Sequence, residues 1–259
     1  CPPISAVPIA LCLGWGVRLM GTFWDCHQTI QMIPMIGTMP KARSGAIRPV
    51  MSEAGFPGFV PLADVDGGPD RAFARLNLNE AMHPPSPAAI NAAQQALANS
   101  NRYPDELGTD LRAALADHIG VDVDRLHLGC GSSELLVAAV QIAIAPGDHA
   151  IVPSPTFPVC AKRVVLADGR LTEVPVRADG SNDVGAMLAA ITDDTRLFYV
   201  CTPNNPTGAD LTASDLERVI AGVPDGCLLL TDEAYVEFAI AEGGVDAISL
   251  IGQRVSPWM

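Results

Sequence analysis

Two short apolar runs, each followed at once by polar residues, constrain the fold of this 259-residue chain most strongly. Residues 198–201 (FYVC) lead into residues 202–208 (TPNNPTG), and residues 227–230 (CLLL) lead into residues 231–235 (TDEAY). Short apolar runs that alternate with helical patterns are typical of strands in a mostly parallel sheet. Because ligands bind beyond the carboxyl ends of such strands, we expect polar side chains of both segments to face one crevice.

The same alternation continues along most of the chain. The short apolar runs predict strands at residues 126–128, 149–152, 171–176, 197–201 and 227–230. Helical spacing and capping residues predict helices at residues 86–99, 109–119, 134–144, 183–191 and 212–221. We therefore predict an α/β fold, a three-layer α/β/α sandwich around a mostly parallel sheet.

Composition excludes several classes of function. The formal net charge of −13 argues against a nucleic-acid surface. The five histidines lack the spacing of metal ligands, so we expect no metal site. The seven cysteines are odd in number and never form CxxC, which predicts free thiols in a reducing cytoplasm. No segment is long and apolar enough for a membrane span, so no membrane partner is expected.

The first fifty residues differ in character from the rest of the chain. They carry four Lys/Arg and one Asp, begin with Cys, and show neither helical nor strand periodicity. They also lack the basic start of a signal peptide. We interpret residues 1–50 as an unassigned leader, for which a non-native origin is one explanation. Residues 51–75, rich in Gly and Pro, are predicted to form an N-terminal arm, and residues 76–259 the main domain.

Residues 129–134 (GCGSSE) lie where a predicted strand passes into a helix. A glycine-rich turn at this point can hold a phosphate, because free backbone N–H groups and the positive end of the helix face it. The motif is weak by itself, and a plain tight turn is the alternative. A dinucleotide fingerprint is rejected because Glu134 stands where its third glycine belongs.

Six motifs in order carry a family resemblance: LNLNE (76–80), RYPD (102–105), GCGSSE (129–134), SPTF (154–157), CTPNNPTG (201–208) and TDEAYVEF (231–238). The chain resembles the pyridoxal-phosphate-dependent aminotransferases of fold type I, class I/II, and among them the histidinol-phosphate aminotransferase branch. The resemblance covers about residues 54–253. It implies the large domain of that fold, with the small C-terminal domain missing. It also implies pyridoxal 5'-phosphate and amino transfer between glutamate and a keto substrate in cytoplasmic histidine biosynthesis.

The resemblance assigns roles to individual residues. Asp232 would pair with the pyridine nitrogen of the cofactor and raise its pKa, which keeps the ring an effective electron sink. Asn205 and Tyr235 would hydrogen-bond the 3-hydroxyl oxygen of the ring, which completes the catalytic set. Ser132 and Ser133 would bind the phosphate. For each of these side chains a plain structural role in a cap, turn or core is the alternative.

Four more residues are implied at the edges of the site. Phe157 would stack on the cofactor ring, and Tyr103 would reach the phosphate of a neighbouring subunit, which implies a homodimer. Asn79 and Glu80 would border the substrate pocket. The following loop, residues 81–85 (AMHPP), departs from the family pattern, so the histidinol-phosphate assignment weakens. Its histidine is either a substrate contact or an exposed loop residue.

One catalytic residue of the family has no counterpart in the chain. The family carries Ser-x-Lys beyond the DEAY motif, and that lysine forms a Schiff base with the cofactor. The two lysines here, Lys41 and Lys162, lie in other contexts. The chain as given is therefore expected to be inactive, as a C-terminally truncated fragment or a cofactor-binding module. A related decarboxylase of the threonine-phosphate type is the remaining alternative.

Overall fold

A parallel sheet lies at the centre of the part of the chain that the computed structural model describes, residues 10–13, 79–81 and 83–252. Its five strands are β1 (Ala10–Leu13), β2 (His149–Ser154), β3 (Arg170–Pro175), β4 (Thr195–Cys201) and β5 (Leu228–Glu233). They are arranged in the order β1-β5-β4-β2-β3, and each described pairing is parallel. The predicted α/β class with a mostly parallel sheet is confirmed.

Eight α-helices occur in the described ranges: α1 (Pro87–Leu97), α2 (Thr109–Ile119), α3 (Ser132–Ala143), α4 (Val159–Leu166), α5 (Val184–Ala189), α6 (Ala213–Gly222), α7 (Val236–Ala241) and α8 (Ala247–Gly252). The chain divides into two units, one of Cys1–Trp24 with Pro85–Met259 and the other of Asp25–Pro84. The sheet and these helices belong to the first unit. The predicted arm, residues 51–75, lies outside the described residues.

Alternation of side chains along β4 produces the three layers. Leu197, Tyr199 and Cys201 pack with α3 and α4 in one core cluster. Phe198 and Val200 point the other way and pack with α5, α6 and α8 in a second cluster. Successive strand residues face opposite sides of a sheet, so a central strand that is apolar throughout needs a helical layer on each side.

Capping residues set the starts of two predicted helices. The Ser86 hydroxyl accepts a hydrogen bond from the Ala89 N–H, and proline follows at the first helical position of α1. The Thr212 hydroxyl accepts from the Asp215 N–H at the start of α6. Both starts were predicted from the same residues, because a cap is a local interaction.

Several elements differ from the sequence-based prediction, and the helices α4, α7 and α8 were not predicted at all. Residues 126–128 were predicted as a strand but form none, because the described part of the chain offers them no neighbouring strand to pair with. The strand β1 lies in the segment predicted to lack strand periodicity. The strand β5 extends past residue 230 to Glu233, because pairing continues from Cys201 to Asp232 and from Leu13 to Glu233.

Candidate active site

Asp232 is the centre of the candidate site, at the carboxyl end of β5. Its side chain is buried, with only 2 % of the residue exposed. The Tyr199 hydroxyl donates to Asp232 Oδ2 at 2.9 Å, and the Ala234 backbone N–H donates to Oδ1 at 3.2 Å. Burial raises the pKa of Asp232, while these two hydrogen bonds act to lower it. The two donors therefore fix the orientation of a carboxyl group that has lost most of its water.

The groups beside Asp232 on this face stay neutral. Burial raises the pKa of the Tyr199 hydroxyl well above its usual value, and the nearby Asp232 carboxylate raises it further. Burial likewise raises the pKa of the Cys201 thiol to about 12. Neither group is an acid or a nucleophile at neutral pH, since both keep their protons. Their effect is to supply a dry surrounding and one oriented donor for Asp232.

The turn after β4 lies at the same end of the sheet as Asp232. The Thr202 N–H donates to the Asp232 backbone carbonyl at 2.9 Å, which continues the β4–β5 pairing into the turn. Asn205, predicted to hold the cofactor, is half-buried in this turn. The neighbouring Asn204 is almost wholly buried, at 1 % exposure. The structure thus brings the turn that carries Asn205 beside the strand that carries Asp232.

The start of α3 has the form of an anion site. Gly131 caps the helix with φ 76°, a left-handed conformation that favours glycine. Ser132 is half-buried at the first helical position and Ser133 is exposed at the second. The Glu134 carboxylate accepts a hydrogen bond from the Cys130 N–H, which explains its place in the motif. The N–H groups of the first turn point away from the helix and are suited to a phosphate.

The other predicted residues lie in different surroundings. Phe157 is half-buried and packs against the core on the α3–α4 side. The Tyr235 ring lies 6.4 Å from the ring of Phe238, between centroids. Tyr103 is 99 % exposed. Asn79 and Glu80 are exposed and belong to the smaller unit, so the structure places them in a different body from Asp232. The roles given to these residues stay predictions.

Glu233 was not predicted, and it faces the opposite side of the sheet from Asp232. It is wholly buried, and its Oε1 accepts from the Ala247 N–H at 2.7 Å. Its Oε2 has no hydrogen-bond partner among the described residues. Burial raises the pKa of Glu233 to about 8, and nearby Asp246, Asp232 and Glu237 add to the shift. The carboxyl group is therefore mostly protonated at neutral pH.

Sequence reasoning missed Tyr199, Asn204 and Glu233 for different reasons. Tyr199 lies two residues before Cys201, so strand alternation alone could have placed it on the face of Asp232. Asn204 carries no signal that separates it from Asn205. Glu233 was treated only as part of the DEAY motif, although the strand pattern could have been extended by three residues to include it.

The described ranges contain neither a group of metal ligands nor a membrane-spanning helix. No group of three or more His, Cys, Asp or Glu side chains there could hold a metal ion. Within the same ranges, the helices are all too short or too polar to cross a membrane.

A doubly wound parallel sheet, with an oriented, buried carboxyl group and a glycine-rich helix start at the carboxyl ends of its strands, is the architecture of an α/β protein with a place for a phosphorylated ligand. The chain belongs to the family "Aminotransferase class I and II", whose sequence profile matches residues 73–256. The predicted family is thereby confirmed.

Two relatives illustrate the similarity in sequence. An aromatic amino acid aminotransferase of Rhodococcus jostii is 41 % identical over 198 residues, which cover 76 % of this chain and 53 % of the relative. A histidinol-phosphate aminotransferase of Dinoroseobacter shibae is 37 % identical over 70 % of this chain and 52 % of the relative. The chain therefore spans about half the length of the curated relatives it matches.

A solved structure agrees with the sequence relatives. The histidinol-phosphate aminotransferase of Sinorhizobium meliloti, in complex with pyridoxal 5'-phosphate, aligns with a TM-score of 0.57 and 30 % identity. The alignment covers 60 % of this chain and 42 % of that one. The family and this complex imply pyridoxal 5'-phosphate as the cofactor, as predicted. The donor set fits it, since Asp232 is a buried acceptor for a protonated ring nitrogen and α3 offers N–H groups for a phosphate.

Proposed function

We propose that the complete protein is a pyridoxal-phosphate-dependent aminotransferase that moves an amino group between glutamate and a keto substrate. The observation that supports this most is Asp232, a buried carboxyl group oriented by Tyr199 and Ala234 in a chain of the aminotransferase family. When bound, pyridoxal 5'-phosphate supplies an electron sink for the carbanion of the substrate. Asp232 would keep the proton on the ring nitrogen, since its carboxylate is the natural partner of that N–H.

The other side chains would hold the cofactor in place. The first turn of α3, with the hydroxyls of Ser132 and Ser133, would bind the phosphate. Asn205 and Tyr235 would hydrogen-bond the 3-hydroxyl oxygen, and Phe157 would cover one face of the ring. The half-buried positions of Ser132, Asn205, Phe157 and Tyr235 support these roles, because such side chains keep part of their surface available to a ligand.

The substrate that we propose has a planar ring in its side chain. The relatives include aromatic amino acid aminotransferases and a histidinol-phosphate aminotransferase, whose named substrates carry a benzene, indole or imidazole ring. Aromatic amino acids are named more often among these relatives, so they are the first candidates to test. We place the reaction in amino-acid biosynthesis in the cytoplasm. We also propose a homodimer, in which the exposed Tyr103 reaches the phosphate of the partner subunit.

The 259-residue polypeptide by itself is proposed to bind the cofactor without transamination. Its lysines are Lys41 and Lys162, and Lys162 lies in α4. Neither follows the DEAY motif, where the family resemblance expects a lysine that handles the proton of the substrate.

The test compares the complete gene product with the 259-residue chain. With pyridoxal phosphate and glutamate, we expect the complete protein to show the spectrum of the amine form of the cofactor and to release 2-oxoglutarate. Phenylalanine and histidinol phosphate as amino donors then separate the two substrate classes. Absence of both signals in the complete protein would contradict the proposal. Carbon dioxide release in place of a keto acid would favour the decarboxylase.

The same assay on the 259-residue chain has a separate outcome. We expect saturable cofactor binding without 2-oxoglutarate. A borohydride-stable cofactor adduct at one defined lysine would overturn the proposal that this polypeptide binds the cofactor without a covalent bond.

A further inference from the structure

The two adjacent asparagines of the turn after β4 differ in their surroundings. Asn204 is 1 % exposed, whereas Asn205 is half-buried. No hydrogen bond joins the Asn205 side chain to another described residue, while each polar atom of the Asn204 side chain has a partner. We propose that Asn204 is a positioning residue, which locks the Asn205 turn to the loop that carries Phe157 before the cofactor binds.

The Asn204 side chain joins two loops that follow neighbouring strands. Its Oδ1 accepts from the Thr156 hydroxyl at 2.7 Å, and its Nδ2 donates to the Pro155 carbonyl at 3.0 Å. Both partners belong to the loop after β2, directly before Phe157. The amide thus bonds with that loop through its oxygen and its nitrogen. Two bonds from one planar group fix orientation as well as distance.

The Asn204 amide also closes its own turn. Its Nδ2 donates to the Thr207 hydroxyl at 2.9 Å, and the Asn204 backbone N–H donates to the Ala209 carbonyl at 2.9 Å. The Gly208 N–H donates back to the Asn204 carbonyl at 2.6 Å. Asn205 lies inside this closed turn, so its position is set by bonds that its own side chain does not make.

A third loop is tied to the same network. The Thr207 hydroxyl donates to the Gly180 carbonyl at 2.8 Å, in the loop between β3 and α5. Gly180 has φ 86°, and a Cβ added there would lie 2.9 Å from Thr207 Cβ. The close approach therefore depends on glycine at position 180. The network centres on the buried Asn204 amide and satisfies each of its polar atoms, and a satisfied network of this kind is rigid, which is the property that a preorganised site requires.

The inference rests on the proposed function in one respect, namely that Asn205 and Phe157 contact the cofactor. The positioning itself is a property of the polypeptide and can be measured without any cofactor. Amide hydrogen exchange of the 259-residue chain is the first readout, because exchange reports local opening of each loop separately.

The variant pair Thr156→Val and Thr156→Ser tests the hydroxyl that donates to Asn204 Oδ1 and that also contacts the Cys201 thiol. Valine has the shape of threonine without the hydroxyl, whereas serine keeps the hydroxyl. We expect Thr156→Val to speed exchange about three- to tenfold in residues 154–157 and also in residues 204–209, as expected for one lost hydrogen bond. Thr156→Ser should exchange at nearly the wild-type rate in both segments. Asn204→Asp, which loses both Nδ2 donors, should have a larger effect on the same two segments.

A matched control removes a comparable bond at the other end of the sheet. The Thr172 hydroxyl lies 2.8 Å from Nε2 of the buried His149 ring. Thr172→Val should lower overall stability about as much as Thr156→Val but leave the relative exchange of the two loops unchanged. Equal exchange in residues 204–209 for the two valine variants would overturn the proposal, as would an effect of Thr156→Val confined to residues 154–157.

A titration with pyridoxal phosphate connects the network to the cofactor. We expect Thr156→Val to weaken binding about three- to tenfold, and Thr156→Ser to restore it to within about twofold of wild type. Asn205→Ala should weaken binding without faster exchange in residues 154–157. A wild-type chain that does not bind the cofactor would defeat the proposed function, while the exchange experiment would still decide the positioning role. If the wild-type chain binds the cofactor and Thr156→Val binds it with the same affinity, the positioning role of Asn204 would be overturned.

Discussion

The two ends of the sheet differ in how completely their buried polar groups are satisfied. At the amino end, His149 is 4 % exposed, and both of its ring nitrogens have partners. Its Nδ1 lies 2.8 Å from the Thr195 hydroxyl, and its Nε2 lies 2.8 Å from the Thr172 hydroxyl. The ring thus connects β2, β3 and β4 where these strands begin. Every polar atom of this histidine side chain is satisfied, which is the usual condition of a buried group that serves stability.

At the carboxyl end, two buried polar atoms of the described residues are left without a hydrogen-bond partner. The Glu233 Oε2 and Asn182 Oδ1 atoms have no hydrogen-bond partner among the described residues. Asp232 is buried with two donors, and the pKa values of both carboxyl groups are raised by burial. Buried atoms of this kind cost free energy of folding. The buried groups at the carboxyl end are therefore costly, and of these only Asp232 has a role in the proposed chemistry, which is one reason to retain a costly group.

Substitution of Asp232 tests this contrast with the largest expected effect. Asp232→Asn keeps the shape but removes the negative charge that would pair with the cofactor ring nitrogen. We expect affinity for pyridoxal phosphate to fall about a hundredfold or more, as for loss of one partner of a buried charged pair. Thermal unfolding of the same variant should show no loss of stability. A large drop in melting temperature with unchanged affinity would assign Asp232 to the structure instead.

The burial of Glu233 should make the folding stability of the protein depend on pH. Its folded pKa of about 8 lies above the usual value of 4.5, so the folded state keeps a proton that the unfolded state releases. Stability should therefore fall as pH rises from about 4.5 to about 8. Glu233→Gln should flatten this slope, with a gain relative to wild type of roughly 3 kcal/mol at pH 8 compared with pH 5.

Urea unfolding of wild type and Glu233→Gln across that pH range measures the difference. The two proteins are compared by the slope of their unfolding free energy against pH. Any pH-independent change in stability caused by the new amide therefore cancels. Parallel profiles for the two proteins would show that Glu233 is already ionised in the folded state. The acidic groups that act on Glu233, which are Asp246, Asp232 and Glu237, are the same in both proteins.

His149 provides the counterpart at the amino end. His149→Ala should cost about 2 kcal/mol of stability, because it removes a packed ring and two hydrogen bonds. Burial, followed by the charge of Arg170, lowers the pKa of His149, while Asp194 opposes the shift. Wild-type stability should therefore fall as pH drops below about 6.5, and the variant should lack this loss. Cofactor affinity should not change, and a parallel loss of affinity would contradict the proposed separation of the two ends.

The substitution Tyr199→Phe is expected to have the smallest effect of the four variants, and it tests the hydrogen bond that orients Asp232 at the carboxyl end. It removes the hydroxyl that donates to Asp232 Oδ2 and leaves the buried ring in place. We expect cofactor affinity to fall about three- to tenfold, because the carboxyl group loses orientation while keeping its charge. A fluorescence titration beside Asp232→Asn checks the order of the two effects. An equal loss in both variants would mean that Tyr199 itself contacts the cofactor.

The fold class, the family and most helix starts could be predicted from the sequence. Ser86 with Pro87, and Thr212, set their helices through contacts with residues three positions away, and such contacts are visible in the order of residues alone. The strands β2, β4 and β5 were predicted because buried central strands are apolar on both faces. Asp232 and Asn205 were proposed as site residues because they stand in motifs at the carboxyl ends of such strands, and their roles stay predictions.

Which polar residues act together could be learned only from the packed structure. The bond from Tyr199 to Asp232 joins residues 33 apart, and the bond from Thr156 to Asn204 joins residues 48 apart. Nothing local distinguishes Asn204 from Asn205, since burial depends on loops that arrive from elsewhere in the chain. Residues 126–128 likewise look like a strand, but a strand exists only where a neighbour pairs with it. Local interactions can be predicted from the sequence because their partners are a few residues apart, whereas burial and long-range pairing arise only when the layers have packed.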